Sequence, residues 1–302
     1  MSSTSLSGGL ASQHVDKMYT CSARLGRLVY EQKQNALSIG LGMLTTIKYI
    51  FLTAVRDWFF IGLSTLIMLS VGISYFLGGT ALVEQQQMID VYIAGSSRVI
   101  LMIGMIVFVC FHVRRSFENR EVEVILTRPI SRSSFVFSYW VGFIILAIMV
   151  VVPLALAMGF FLDVDIKGLA FWSLSIIFES FVVIAFALAC SLILQSAVSS
   201  VLVSFCFYVI ARMMGFFTAV IDKPDLIRDL SWSWIMENIL TASSILLPRL
   251  DLFGKSKWLV YGMSSDVALW ITDMIPVFVV QTLVYVPLLL FMAIYDFKRR
   301  QF

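Results

Sequence analysis

The chain has 302 residues, of which 60% are hydrophobic and 14% charged, with a mean hydropathy of +0.92 and a formal net charge of +3. That apolar share is far above the share in a soluble domain and points to an integral membrane protein. The small positive balance follows from where basic residues flank apolar runs, and gives no reason to expect nucleic-acid binding.

The first forty residues are rich in Ser, Gly and Gln and hold no apolar core of a secretory signal, so residues 1–40 read as a mobile cytoplasmic tail. From 41 to 58 the pattern changes. Leu44, Ile47, Phe51, Ala54 and Trp58 recur at steps of three and four, with Thr45, Lys48 and Asp57 between them. This is one apolar helical stripe, and an aromatic end just before a long apolar run suits an amphipathic helix lying in the membrane interface. The alternative is that it extends the first span.

A bilayer core of roughly 30 Å needs about 20 largely apolar helical residues. Six runs qualify, at about 59–80, 97–113, 135–162, 169–195, 197–221 and 269–295. They are continuous rather than alternating, which disfavours a membrane barrel. The expected fold class is therefore an all-α membrane protein: six transmembrane helices in 59–302, preceded by the interfacial helix. Pro276 and Pro287 predict a kink in the last span.

Basic residues crowd one side of these spans: Lys17, Arg24, Arg27, Lys33, Lys48, Arg56, the arginines of 114–132, and Lys298 to Arg300. By the positive-inside rule that side and both termini are cytoplasmic, as in a plasma membrane or bacterial inner membrane. The other side carries Arg98, Lys167 and the long segment 222–268, whose basic residues are offset by acidic ones.

Residues that would commit the chain to catalysis are sparse. His14 and His112 form no metal motif, and Cys21, Cys110, Cys190 and Cys206 lack disulfide or metal spacing. Phe253-Gly254-Lys255-Ser256 resembles the end of a phosphate-binding loop, but Arg249 stands where that motif needs its first Gly. No cofactor, metal or enzymatic activity is expected in the chain itself. Charges inside spans cost several kcal/mol unless paired or functional. Glu179 and Arg212 both fall roughly 14–15 Å below the outer ends of adjacent antiparallel spans, which predicts an ion pair or shared polar network. Such a pair either fixes helix register or lines a substrate path. Asp273 falls near headgroup depth.

Residues 111–135, FHVRRSFENREVEVILTRPISRSSF, hold five arginines and three glutamates between two apolar runs. Glu118, Glu121, Val122, Val124, Ile125 and Leu126 mix charge with apolar side chains at helical spacing, a surface that invites a protein partner. In 222–268, Ile235, Ile239, Ala242 and Leu246 again step like a helix, with Trp232, Trp234 and Trp258 near the interface.

The stretch ENREVEVILTRPISRSSFVFSYWVGF, 118–143, resembles the signature of the ABC-2 type permeases. Glu118, Glu121, Leu126, Pro129, Ile130, Ser131, Arg132 and Phe135 carry the resemblance. The chain departs from the family at Ser138 to Val141, where members commonly have a Gly-Lys pair, and keeps Gly142. ILLPRLDLF, 245–253, is similar to the family's P-x-L-D element.

The resemblance implies an ABC-2 exporter fold: a permease subunit that docks a separate cytoplasmic ABC ATP-binding subunit, which would hold ATP and Mg. A second permease half, the same chain or a different one, would complete the path through the lipid membrane. It implies a cytoplasmic coupling helix at 114–132, with Arg115, Glu118, Arg120, Glu121, Glu123, Arg128, Pro129 and Arg132 toward the ATPase, and outer helices in 222–268. By the same analogy Met102, Met105, Tyr208, Met213, Phe216 and Phe217 line the path, although ordinary helix packing would use the same residues. Two other readings stay open: an ATPase-linked device acting on membrane components, and an ion-coupled carrier using Glu179, Arg212 and Asp273.

Overall fold

In the computed structural model, residues 47–79, 85–119, 132–162, 165–221, 247–254 and 265–299 are described. The tail 1–40, residues 120–131 of the charged stretch, and most of 222–268, including Trp232, Trp234 and Trp258, lie outside them. The described residues are helical, with no strand among them. We label the helices α1 (47–56), α2 (Phe59–Gly78), α3 (Gln85–Glu118), α4 (Arg132–Phe161), α5 (Ile166–Ile193), α6 (Ala197–Ile221), the single turn α7 (Leu250–Phe253) and α8 (Ser265–Arg299). Six of them, α2 to α6 and α8, are long and apolar enough to cross a membrane.

Helix α5 is the hub. It packs against α3, α4, α6, α7 and α8. Its most apolar stretch is 72% buried, against 17% for α2 at the edge of the bundle. Small residues make this possible: Gly168, Ser175, Ser180, Ala185, Ala187, Ala189 and Ser191 are all buried along its length. In a bilayer, where lipid is as apolar as Leu, small side chains let helix backbones approach and pack. Only Leu194 to Ser196 separate α5 from α6, and the Ser200 hydroxyl donates to Cys190 O at 3.3 Å across the turn. So short a connection makes the two helices antiparallel neighbours.

The second span differs most from expectation. In place of a short run at 97–113, α3 covers 34 residues. Its first third, QQQMIDVYIAGSS, was too polar for a hydropathy window, yet Ile89, Ile93 and Ala94 are buried there and the polar groups find partners. Ser96 shares a hydrogen bond with Ser70 of α2 at 3.0 Å, and the Ser97 hydroxyl donates to Ile93 O. At the other end the stretch expected as a separate coupling helix begins instead as the last turns of α3, Arg114 to Glu118.

Helix α1, the stretch expected to lie in the interface, is a separate element and not an extension of α2. Trp58 adopts φ 56°, ψ 17°, the left-handed region, and breaks the helix there. For a residue with a Cβ that conformation costs about 1–2 kcal/mol, so the joint is held by what flanks it. On one side Ile50 and Ala54 of α1 are fully buried; on the other Phe59 packs against Phe108 of α3, with ring centroids 4.4 Å apart. The expected stripe therefore buries through Ala54, but Trp58 itself is 71% exposed because the break turns it outward.

Helix α1 sits on Gly142 of α4. A Cβ there would lie 2.6 Å from Ile50 Cδ1 and 3.7 Å from Ile47 Cα. Gly142→Val is therefore expected to cost about 1–3 kcal/mol through overpacking, read as a lower unfolding midpoint of the purified protein in detergent.

Candidate functional site

At the centre of the bundle, three charged side chains from three helices meet. Glu179 of α5 is fully buried, with Arg98 Nη1 of α3 at 3.2 Å from Oε2 and Arg212 Nη1 of α6 at 3.0 Å from Oε1. One carboxylate is thus gripped by two guanidinium groups, one on each oxygen. Such a cluster is stable away from water only if the remaining donors are satisfied.

The backbone and a serine supply the missing acceptors. Arg98 Nη2 donates to Ser175 Oγ at 2.6 Å and to Trp172 O at 3.3 Å, and its guanidinium lies over the Trp172 ring, 5.6 Å from the centroid. Arg98 Nη1 also donates to Phe253 O, and Arg212 Nη1 to Leu250 O at 3.3 Å. Leu250 and Phe253 are the ends of α7. Within the turn, among the described residues, only Asp251 O receives a local donor, Gly254 N–H at 3.1 Å, so two arginines supply the carbonyls of Leu250 and Phe253.

Apolar packing holds α7 in the same place. Leu250 and Phe253 are fully buried, Phe253 stacks on Phe278 of α8 with centroids 4.4 Å apart, and Phe278 stacks in turn on Phe171 of α5 at 5.9 Å. The P-x-L-D element is thereby seated on the intramembrane charges. Asp251 faces α6, where a Cβ on Gly215 would come within 2.5 Å of its Oδ2, and that same oxygen accepts from Arg249 Nη2 at 3.3 Å. Gly254 packs flat on the Arg212 guanidinium, leaving no room there for a side chain. The buried Tyr208 hydroxyl of α6 lies in the electrostatic field of Glu179 and both arginines, without a hydrogen bond of normal geometry among the described residues.

The residues singled out from sequence distribute unevenly around this cluster. Glu179 and Arg212 are brought together, and Tyr208 sits beside them. Met102 and Met105 are fully buried, Met102 receiving the Ser180 hydroxyl at 4.0 Å from its sulfur, whereas Met213 and Phe216 lie on the outside of α6 and Phe217 is half-buried. Arg98 was missed as a partner, because the short second span placed it at the outer surface. Its spacing held the signal: Arg98, Met102 and Met105 stand at i, i+4 and i+7, one helical face, and all three are buried.

At the opposite end of α3, Arg115 Nη1 pairs with Asp57 Oδ2 at 3.0 Å and Arg114 Nε with Glu118 Oε1 at 3.1 Å. Arg132, at the start of α4, donates from Nη1 to Phe297 O at 3.1 Å and Lys298 O at 3.3 Å, tying α4 to the last turn of α8. Arg120, Glu121, Glu123, Arg128 and Pro129 lie outside the described residues. No group of His, Cys, Asp and Glu suited to a metal ion occurs among the described residues. His112 instead packs among the rings of Tyr49, Phe108, Tyr139 and Phe143.

Compared with known proteins, the chain matches no family model and no curated protein.

Removing the shared carboxylate leaves two guanidinium groups facing each other. Glu179→Ala should destabilise the bundle by about 3–5 kcal/mol, measured by denaturant unfolding in micelles. The variant Arg98→Met/Glu179→Leu/Arg212→Met is expected to regain most of that loss, because apolar groups can replace a buried ion cluster. In that variant the carbonyls of Leu250 and Phe253 lose their arginine donors, so limited proteolysis should cut within 247–254 faster than in the native chain.

Proposed function

We propose that this chain is the membrane subunit of an ATP-driven exporter of the ABC-2 type, working with a separate cytoplasmic ATP-binding subunit and a second permease half. The observation that carries the reading is the continuity of α3. Its inner end, Arg114 to Glu118, leads into the charged stretch that resembles the ABC-2 signature, and its middle holds Arg98 against Glu179 and Phe253 O. From Glu118 to Arg98 is 20 residues of unbroken helix, about 30 Å at 1.5 Å per residue.

A push on the charged stretch would therefore reach the buried cluster through a rod without a joint. The far end of the stretch is anchored as well, since Arg132 binds carbonyls of α8. Movement of 120–131 would act on α3 at one end and on α4 and α8 at the other, with α5 packed between them. The response at the cluster would be a change in how α7 is held, because α7 is bonded by the arginines of α3 and α6. Opening and closing of a path at that side is the function such a linkage serves.

The test is purification of the tagged full-length chain in mild detergent from its own cells, with mass spectrometry of what stays bound. A nucleotide-binding subunit is expected with the native chain. It should be lost from Glu118→Arg/Glu121→Arg, which leaves the Arg132 tie to α8 intact. A native chain that transports without any ATPase attached would overturn the proposal and favour an ion-coupled carrier.

A further inference from the structure

Among the described residues, the flank of α3 between α2 and α6 is left open. A cleft of about 710 Å³ lies there, inside the roughly 300–1,000 Å³ typical of ligand sites. Along α3 its lining runs from Val107 to Glu118, about 17 Å of helix, while one leaflet of a ~30 Å hydrocarbon core is about 15 Å deep. The cleft thus spans one leaflet from the charged helix end inward. It opens sideways, since Phe111 and Val107, which line it, are 51% and 37% exposed.

Its two ends differ in chemistry. The deep part is Phe59, Val107, Phe108 and Phe111 with the buried His112; the mouth is Asp57, Arg114, Arg115, Glu118 and Asn119. Among the described residues the mouth holds two guanidinium groups and two carboxylates in two ion pairs, Arg115 with Asp57 and Arg114 with Glu118, whose charges balance. A purely anionic group would meet both carboxylates, and a purely cationic one both arginines. A group carrying both signs a few ångströms apart meets each with its opposite.

We infer that this cleft binds one zwitterionic phospholipid, its phosphate on Arg114 and Arg115, its amine on Asp57 and Glu118, and an acyl chain along the phenylalanines of α3. The inference does not depend on the transport reading, because lipid retention is measured on the chain alone. The bound lipid fills the gap between the α1–α2 joint and the start of α6 at Ala197, and so couples the interfacial helix to the bundle.

The experiment is native mass spectrometry of the full-length chain in mild detergent, offered equal amounts of phosphatidylethanolamine and phosphatidylglycerol with matched acyl chains. One phosphatidylethanolamine per chain is expected to be retained, about five-fold over phosphatidylglycerol (~1 kcal/mol). Asp57→Asn removes one carboxylate from the mouth and should erase or reverse that preference. Val107→Trp fills the deep part and should abolish retention while circular dichroism shows the helices intact. Equal retention of the two lipids by the native chain, no retained lipid, or full retention by Val107→Trp would each overturn the assignment.

Discussion

The bundle depends on one carboxylate. Among the described residues Glu179 is the only acidic partner that Arg98 and Arg212 pair with, and it sits on α5, which packs against α3, α4, α6, α7 and α8. Burying a charge triad costs desolvation that its Coulomb attraction barely offsets, so the cluster is poor glue by itself. What it supplies is specificity. Arg98 must face α5 at the level of Trp172 and Ser175, and Arg212 must face it at the level of α7, or a charge is stranded in an apolar interior. The vertical register of α3, α5 and α6 follows from that requirement.

The same requirement explains why a four-residue turn is seated against the bundle. Helix α7 is too short to hold itself, and its end carbonyls would be orphans. The arginines need further acceptors beyond Glu179. Each solves the other's deficit, and the stack of Phe253, Phe278 and Phe171 supplies apolar burial that neither could. The packing is tight enough that Gly254 and Gly215 stand where any side chain would collide with Arg212 or Asp251.

Much of the fold was legible in the apolar runs, and what was hidden has physical reasons. Helix α6 begins and ends where its hydropathy does, because the face it exposes between Val198 and Phe216 is almost wholly apolar. Helix α3 does not, because hydropathy scores Gln, Asp, Ser and Arg as water-seeking without knowing that Gln86 reaches Asp90 on the same helix, Ser96 meets Ser70 of α2 and Arg98 is satisfied by α5. The break at Trp58 is a backbone torsion, and the 3.6-residue period on either side of it carries no trace. The Glu179–Arg212 pairing could be read from depth alone, since both residues are isolated charges in neighbouring spans. The seating of α7 could not be read, because the groups that bind the arginines there are carbonyl oxygens, which every residue has.

The long polar entry of α3 also bears on how the protein is made. Arg98 precedes Glu179 by 81 residues, so α3 leaves the ribosome well before α5 exists to neutralise it. Until then Arg98 has no carboxylate from α5 to pair with, and the α2–α3 hairpin alone carries an arginine whose partner is still to come. The Arg98–Glu179 pair is therefore completed only when the fourth span, α5, has been made, and the charge cluster waits on that step.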